Sequence, residues 1–235
     1  MRVNEHTAIS TPRVLLVPYE HRHVLKYHGW MQDPAIQEAT ASEPLTLEEE
    51  YANQESWRTS HDKLTFIVCQ PLTDTAHESK HVDGGKVDSP DRMVGDVNFF
   101  IYQSDDDGDE SGNRYEGEVD IMIADEANRS QGFGRAAVTA LLYYITRHSE
   151  AIMAEYVRGL EPAAAAAGQL VRIMAKIKAE NVGSMALFRS LGFEQQGEVN
   201  YFGEIKMVLP EDQFAKLAEK MPAGYAELKY GLPDQ

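Results

Sequence analysis

The stretch Arg129, Ser130, Gln131, Gly132, Phe133, Gly134, Arg135 has the residue types and spacing to hold an anion. It follows an apolar run, Glu118 to Ala124, that reads as a strand, and it precedes a segment where Ala137, Leu141, Tyr144 and Ile145 recur at helical spacing as far as His148. Glycines at 132 and 134 let the backbone come close to a ligand, and the unpaired amides that open a helix donate to a phosphate. Arg129 and Arg135 set positive charge at this one place in a chain whose net charge is −16. Two other readings fit the same residues. A structural glycine turn is one. The other is a nicotinamide-dinucleotide site, since Gly132-Phe-Gly134-Arg-Ala-Ala137 has the Gly-x-Gly-x-x-Ala form. For that second reading an acidic ribose ligand should end a strand about twenty residues later, yet Glu155 falls in a helical stretch.

Elements on either side must position this turn. Val14 to Val17 is a short β-type run ended by Pro18, and Glu20 to Met31 is helical, with Val24, Tyr27, His28 and Met31 on one face. Thr46 can cap a helix that begins near Leu47 and carries Glu48, Glu49 and Glu50 in its first turn, where the dipole favours acids. Leu64 to Val68 and Met93 to Tyr102 read as strands, separated by a polar, glycine-containing stretch expected to be a mobile loop. The acidic run 105–112 reads as a hairpin tip before Glu118 to Ala124.

After the helix that ends at His148, Ser149 to Gln169 reads as an inserted helical excursion interrupted at Pro162. Val171 to Ile177 alternates as a strand, Asn181 to Ser190 is helical and stops at Gly192, and Phe202 to Leu209 closes the sheet. Beyond Pro210 one amphipathic helix through Phe214 and Leu217 is expected, with a loose end after Pro222. Strands mixed with helices imply an α/β (α+β) fold on a sheet of mixed direction. The expected organisation is one domain, residues 1–209, with insertions near 71–91, 104–114 and 149–169, followed by a tail at 210–235.

A length of 235 residues with 43% hydrophobic residues suits one core. The acidic balance disfavours nucleic-acid binding, which relies on basic side chains meeting phosphates, and favours amines or basic peptides as partners. Cys69 is the only cysteine, so an internal disulfide and an all-cysteine metal site are excluded; it sits in an apolar run suited to packing. His21, His23 and His28 share a helical stretch without a carboxylate or cysteine framework, so no metal is expected there. Met1 to Ser10 is polar and lacks a secretory apolar stretch, and no segment has the length of a membrane span. A cytoplasmic location is expected, with the nucleus also open.

The glycine turn is followed, after the next strand, by Asn181-Val-Gly-Ser184-Met-Ala-Leu187-Phe188-Arg-Ser-Leu-Gly192-Phe193. This ordered pair resembles the GNAT superfamily of acetyltransferases. Ala41-Ser-Glu-Pro-Leu-Thr-Leu-Glu48 with Tyr51 and Trp57, and Met93-Val-Gly-Asp-Val-Asn98, resemble its N-acetyltransferase 9-like branch. The resemblance implies a mixed, mostly antiparallel twisted sheet flanked by helices. It also implies a V-shaped opening between the strand ending near Ala124 and the strand Val171 to Ile177, with acetyl-coenzyme A as cosubstrate and no metal. By the same resemblance Arg129 to Arg135 would hold the pyrophosphate, Asn181 and Ser184 belong to the second cofactor motif, and amides of Met122, Ile123 and Ala124 would polarise the thioester carbonyl. The implied acceptor is an amine of a protein or peptide, and the branch implies an association with microtubules.

Members of the family often place a tyrosine where this chain has Phe188, so the usual proton donor to the leaving thiolate is missing; Phe188 reads as packing. A thiol with pKa about 8.5 is nonetheless a tolerable leaving group. Glu118 and Asp120 alternate onto one side of their strand and are the candidate bases, Glu118 ahead of Asp120, unless a bulge before Ala124 reverses their direction. A non-catalytic member that acts through protein contacts is the other reading of the missing tyrosine.

Overall fold

The computed structural model describes residues 1–73, 80–104, 113–160 and 168–231. The turn expected at 105–112, Pro162 and the alanine run at 163–167 lie outside them. Among the described residues the strands are β1 (Thr7–Ser10), β2 (Leu15–Pro18), β3 (Lys63–Cys69), β4 (His81–Asp83), β5 (Met93–Gln103), β6 (Arg114–Ile123), β7 (Gln169–Lys178), β8 (Glu194–Gln196), β9 (Glu204–Leu209) and β10 (Ala226–Gly231). They form one sheet in the order β4-β10-β1-β2-β3-β5-β6-β7-β9-β8. Neighbours are antiparallel except β4 with β10 and β6 with β7. The expected mixed, mostly antiparallel sheet is thus what the chain builds, although β8 rather than β9 forms the outer edge.

Side-chain alternation divides the sheet into two faces. Val97, Phe99, Ile101 and Val119 pack toward α4 (Phe133–Gly159), joined by Met185 and Phe188 of α5 (Val182–Ser190). On the other face Leu15, Val17, Ile67, Met93 and Met122 meet Val24, Tyr27, Trp30 and Met31 of α1 (Val24–Met31). The helix expected over Glu20 to Met31 starts as a 3-10 turn, His21–His23, before α1. Next to α1 stand α2 (Pro34–Ala39) and α3 (Leu47–Thr59). Thr46 caps α3 as expected, its hydroxyl accepting from Glu49 N at 3.3 Å while the Glu49 carboxylate accepts from Thr46 N at 2.8 Å. The sequence reading passed over α2, although Asp33 before Pro34 is an N-cap signal and its side chain accepts from Ala35 N.

Three stretches read as peripheral are built into the fold. The excursion expected from Ser149 continues α4 past a bend at His148 as far as Gly159, and Ile152, Met153 and Tyr156 bury in the shared core. The loop between β3 and β5 contributes β4, and its Asp88 is buried, accepting from His23 Nε2 at 2.8 Å, Arg22 Nη2 at 3.0 Å and Tyr230 Oη at 2.5 Å. Residues beyond Pro210 form α6 (Glu211–Glu219), as expected, but their end is not loose: β10 pairs with both β1 and β4. A buried carboxylate that gathers donors from two distant segments explains why that end is held.

Gly95 fixes the middle of the sheet. A Cβ there would fall inside the carbonyl of Met122 on β6, so only glycine lets β5 and β6 approach this closely. The β5–β6 register then runs without a shift from Gly95 opposite Ile123 to Gln103 opposite Tyr115. Gly95→Ala is expected to destabilise the fold by about 3 kcal/mol, read as a lower urea midpoint at unchanged slope; an unchanged midpoint would show that β6 needs no such approach.

Candidate active site

The parallel pairing of β6 with β7 begins at Arg114 opposite Gln169 and ends at Glu118 opposite Met174, while β6 runs on to Ile123 and β7 to Lys178. Beyond that pair the strands part. Two cavities open along the gap, one of about 530 Å³ toward the start of α4 and one of about 410 Å³ toward α1 and α3. Ile121, Met122, Asn181, Ser184, Ala39 and Thr40 line both, so the cavities meet at the splay under the end of α2.

The larger cavity contains the expected anion turn. Gly132 stands as N-cap of α4 at φ +88°, a conformation that disfavours a side chain, and no side chain caps the helix, so its first amides are open to an acceptor. Phe133 is buried and pins the helix start to the core. A Cβ on Gly134 would stand 3.4 Å from Leu187 and 3.8 Å from Ile121 and Ile123, which leaves little room above the groove. Ser130 takes φ +59°, and the Gln131 side chain donates back to Ala127 O, so both shape the turn.

The arginines do more holding than sequence suggests. Arg129 donates from Nε to Ile123 O at 3.0 Å and from Nη2 to Ala124 O at 2.8 Å, clipping the turn to the end of β6. Arg135 donates to Ser190 Oγ at 2.5 Å and ties α4 to α5. Both still line the cavity, and Arg13 from the β1–β2 turn, which sequence reading missed, brings Nε 4.0 Å from where a Gly132 Cβ would be. Asn181 caps α5, accepting from Ser184 N at 3.0 Å. A diphosphate and a thin pantetheine arm fit this cradle of open amides, glycines and cations.

The three expected carbonyl-polarising amides separate. Ala124 N donates to Val94 O at 3.0 Å and is taken. Alternation along an antiparallel ladder then turns Met122 N toward β5 as well, and directs Ile123 N to the opposite edge, where β7 has already left. Ile123 is the amide that faces the gap.

The smaller cavity holds the carboxylates. The β5–β6 register is unbroken from Glu118 to Ile123, so no bulge there reverses the two acids, and Glu118, Asp120 and Met122 share a face with Asp96, Asn98 and Phe100 opposite. Their surroundings differ. Glu118 is buried and accepts from Lys176 Nζ at 2.8 Å, and Glu116 is paired with Arg172 and with Lys206 at 3.2 Å. Asp120 has no hydrogen-bond or ion-pair partner among the described residues. Burial first, and then the charges of Glu118 and Asp96, push its carboxyl up to about 7. Asp96, which sequence reading did not single out, is buried and raised to about 6, chiefly by desolvation.

Phe188 is buried against Phe193 with ring centroids 5.0 Å apart, consistent with packing. Cys69 is buried in β3, and burial pushes its thiol up, so it stays protonated. The three histidines face different partners: His21 stacks on Tyr51, His23 donates to Asp88, and His28 lies 3.9 Å from Glu50. Glu155, the one acid at a distance to serve a dinucleotide ribose, instead accepts from Arg2 N and Val3 N at 2.6 and 2.9 Å, which removes it from the glycine turn. No helix among the described residues is long and apolar enough to cross a membrane.

Comparison with known proteins agrees with this geometry. Residues 13–194 match the acetyltransferase (GNAT) domain family. The chain is 36% identical over 226 residues to an N-acetyltransferase 9-like protein of Schizosaccharomyces pombe, covering 89% of this chain and 98% of that one. It is 37% identical over 210 residues to the alpha/beta-tubulin-N-acetyltransferase 9 of Drosophila melanogaster, covering 89% and 90%. Among solved structures it shares the fold of spermidine N-acetyltransferase from Vibrio cholerae in complex with coenzyme A and spermine. That match has TM-score 0.57 at 14% identity and covers 87% of this chain and 99% of the other.

Gly134→Val, which fills the space between Leu187 and the β6 isoleucines, is expected to weaken coenzyme A binding at least about tenfold, or about 1.4 kcal/mol. Calorimetry on the variant checks this, with an unfolding midpoint to show that the fold persists; unchanged affinity would move the cofactor elsewhere.

Proposed function

We propose, because the chain belongs to the acetyltransferase (GNAT) family in its N-acetyltransferase 9-like branch, that it acetylates the α-amine of a protein chain with Asp120 as general base. Membership makes it an acyl-coenzyme A-dependent N-acetyltransferase with acetyl-coenzyme A as cosubstrate. The choice of acceptor and base rests on one observation: of the two carboxylates facing the splay, Glu118 is neutralised by Lys176 and Asp120 is not.

Proton transfer favours an α-amine. Passing a proton from an α-amine of pKa about 8 to a carboxylate at about 7 costs about 1.4 kcal/mol, and from lysine at about 10.4 about 4.6 kcal/mol. In the reaction the ammonium first gives one proton to solvent by way of Asp120, and Asp120 then takes a second as the neutral amine nitrogen bonds to the thioester carbonyl carbon. Ile123 N–H faces the oxygen that gains charge, and carbon–sulfur cleavage releases the thiolate beside Asn181 and Ser184. The proton on Asp120 then passes to the thiolate or to solvent. Holding both reactants across one splay supplies much of the rate, so a second acid is not essential.

The name of the Drosophila relative supports tubulin as the acceptor to try first, and with it an association with microtubules and a cytoplasmic place of work. Purified αβ-tubulin incubated with the chain and labelled acetyl-coenzyme A is expected to gain label on an amino-terminal residue by peptide mass spectrometry. Label confined to lysines would overturn the α-amine assignment.

Asp120→Asn is expected to lower kcat by about 10² to 10⁴ and to abolish a rise in rate through pH about 7 that the unaltered chain shows. Stability should move the other way. The folded carboxyl is raised above its ordinary value, so it lowers stability as pH climbs from about 4 to 7 and the full penalty remains above that. The asparagine variant should therefore melt higher at pH 8 and lose that advantage near pH 4. A lower melting point at pH 8 would mean that Asp120 is structural.

A further inference from the structure

We infer that Asp96 and Asn98 of β5 anchor the acceptor's primary ammonium group in the smaller cavity and so select primary amines. This rests on the acetyl-transfer reading of the same site and names what receives the substrate there.

Asp96 and Asn98 are 1% and 6% exposed, and both line the cavity. One side of this pair is satisfied. Asn98 Nδ2 donates to Asp96 Oδ2 at 2.6 Å, and Tyr27 Oη donates to the same oxygen at 3.5 Å. The other side is not: Asp96 Oδ1 and Asn98 Oδ1 are buried acceptors without a partner. Donation from Nδ2 fixes which end of the Asn98 amide is oxygen, so two acceptors, one of them ionisable, are left unpaired on residues that line the cavity. Buried acceptors are costly to leave unmatched, and a pair of them on a cavity wall is accounted for by a donor that arrives with a ligand.

The complement must be a cation with several N–H groups. Around the pair stand Tyr27 from α1, Glu118 and Asp120 from β6, Lys176 and Lys178 from β7 and Glu204 from β9. Lys176 is held by Glu118, and Lys178 lies 3.6 Å from Glu204, so these lysines are already matched and Asp96 and Asp120 are left without a cation. An anionic ligand would meet two carboxylates. A neutral amide would satisfy one acceptor and leave the charge. A primary ammonium has three donors, and three acceptor groups are at hand: Asp96 Oδ1, Asn98 Oδ1 and Asp120, which sits directly across the strands from Asn98. Asp120 takes a proton, and the amine then turns its freed lone pair to the thioester while one of the first two keeps hold of the nitrogen. A secondary amine loses one of these donors and brings an alkyl group into the floor.

Two measurements test the anchor. In the first, αβ-tubulin is the acceptor and Asp96→Asn is compared with the unaltered chain. The Michaelis constant for tubulin should rise about 10- to 100-fold, as for loss of a charge-assisted hydrogen bond. The rise in rate should remain, because it belongs to Asp120, but move to lower pH, because the Asp96 charge helps to raise that carboxyl. An unchanged Michaelis constant, or loss of kcat alone, overturns the anchor. The second measurement needs no turnover and no variant. The full chain saturated with coenzyme A is titrated with alaninamide, N-methylalaninamide or N-acetylalaninamide while the carbon-13 resonance of the Asp96 carboxyl is followed. A shift with alaninamide, weaker by at least about tenfold for the N-methyl compound and absent for the N-acetyl one, supports the anchor. Equal shifts or none overturn it. If tubulin gains no acetyl group from the unaltered chain, the tubulin assignment falls and the titration still decides the anchor.

Discussion

Everything in this site depends on two parallel strands that stop pairing part-way along their length. β6 and β7 are bonded as far as Glu118 and Met174, and then each continues alone. Ending a ladder inside a sheet leaves backbone donors and acceptors without strand partners, a cost tolerated only where something else occupies them. The chain secures the splay from both sides. Gly95 lets β5 grip β6 so closely that β6 cannot follow β7, and the antiparallel β9 holds β7 along its whole run from Ile173 to Lys178. The gap is the place where the two holds disagree.

Strand alternation then assigns the chemistry. From β6, odd-numbered residues turn toward α4 and bury, while Glu118, Asp120 and Met122 turn toward α1 and the smaller cavity. Two acids two residues apart have the same direction but different neighbours, because β7 is still alongside at Glu118 and has left by Asp120. Lys176 therefore reaches Glu118, and Asp120 keeps an unmatched charge in a desolvated place. The same departure that opens the cleft separates a structural carboxylate from a reactive one.

Much of this was legible in the residues, and the illegible part has a physical cause. The glycine turn before an amphipathic helix, the Thr46 capping box and the Asn181 helix start are local signals, and local signals survive in sequence. Sequence set Glu118 ahead of Asp120 as base without sight of what makes them differ, which is Lys176, 58 residues from Glu118 along the chain. Arg129 looked like a phosphate ligand by its charge, yet its donors meet carbonyls of Ile123 and Ala124, a contact set by how the chain turns after β6. The stretch 149–159 and the segment after Pro222 looked peripheral because their partners are distant. Tyr156 finds Tyr115, and β10 finds β1. Asp96 entered only within the Met93 to Asn98 run that carries the resemblance, with no role of its own, because a buried aspartate on a strand reads as an ordinary interruption until the wall around it is known.

The missing tyrosine can be placed in the same terms. Phe188 is on the cavity wall but packed against Phe193, and its ring has no proton to offer. In the proposed mechanism the first turn of α5 flanks that sulfur, since Asn181 and Ser184 line both cavities. A helix N-terminus carries partial positive charge and lowers the pKa of a thiol beside it. A thiolate that is stabilised as it departs has less need of a proton from the protein, and the proton collected by Asp120 is free to leave to solvent. The electrostatic field of α5 and the carboxylate of Asp120 thus divide between them what one acid–base pair would otherwise do, and a phenylalanine at position 188 becomes compatible with acetyl transfer.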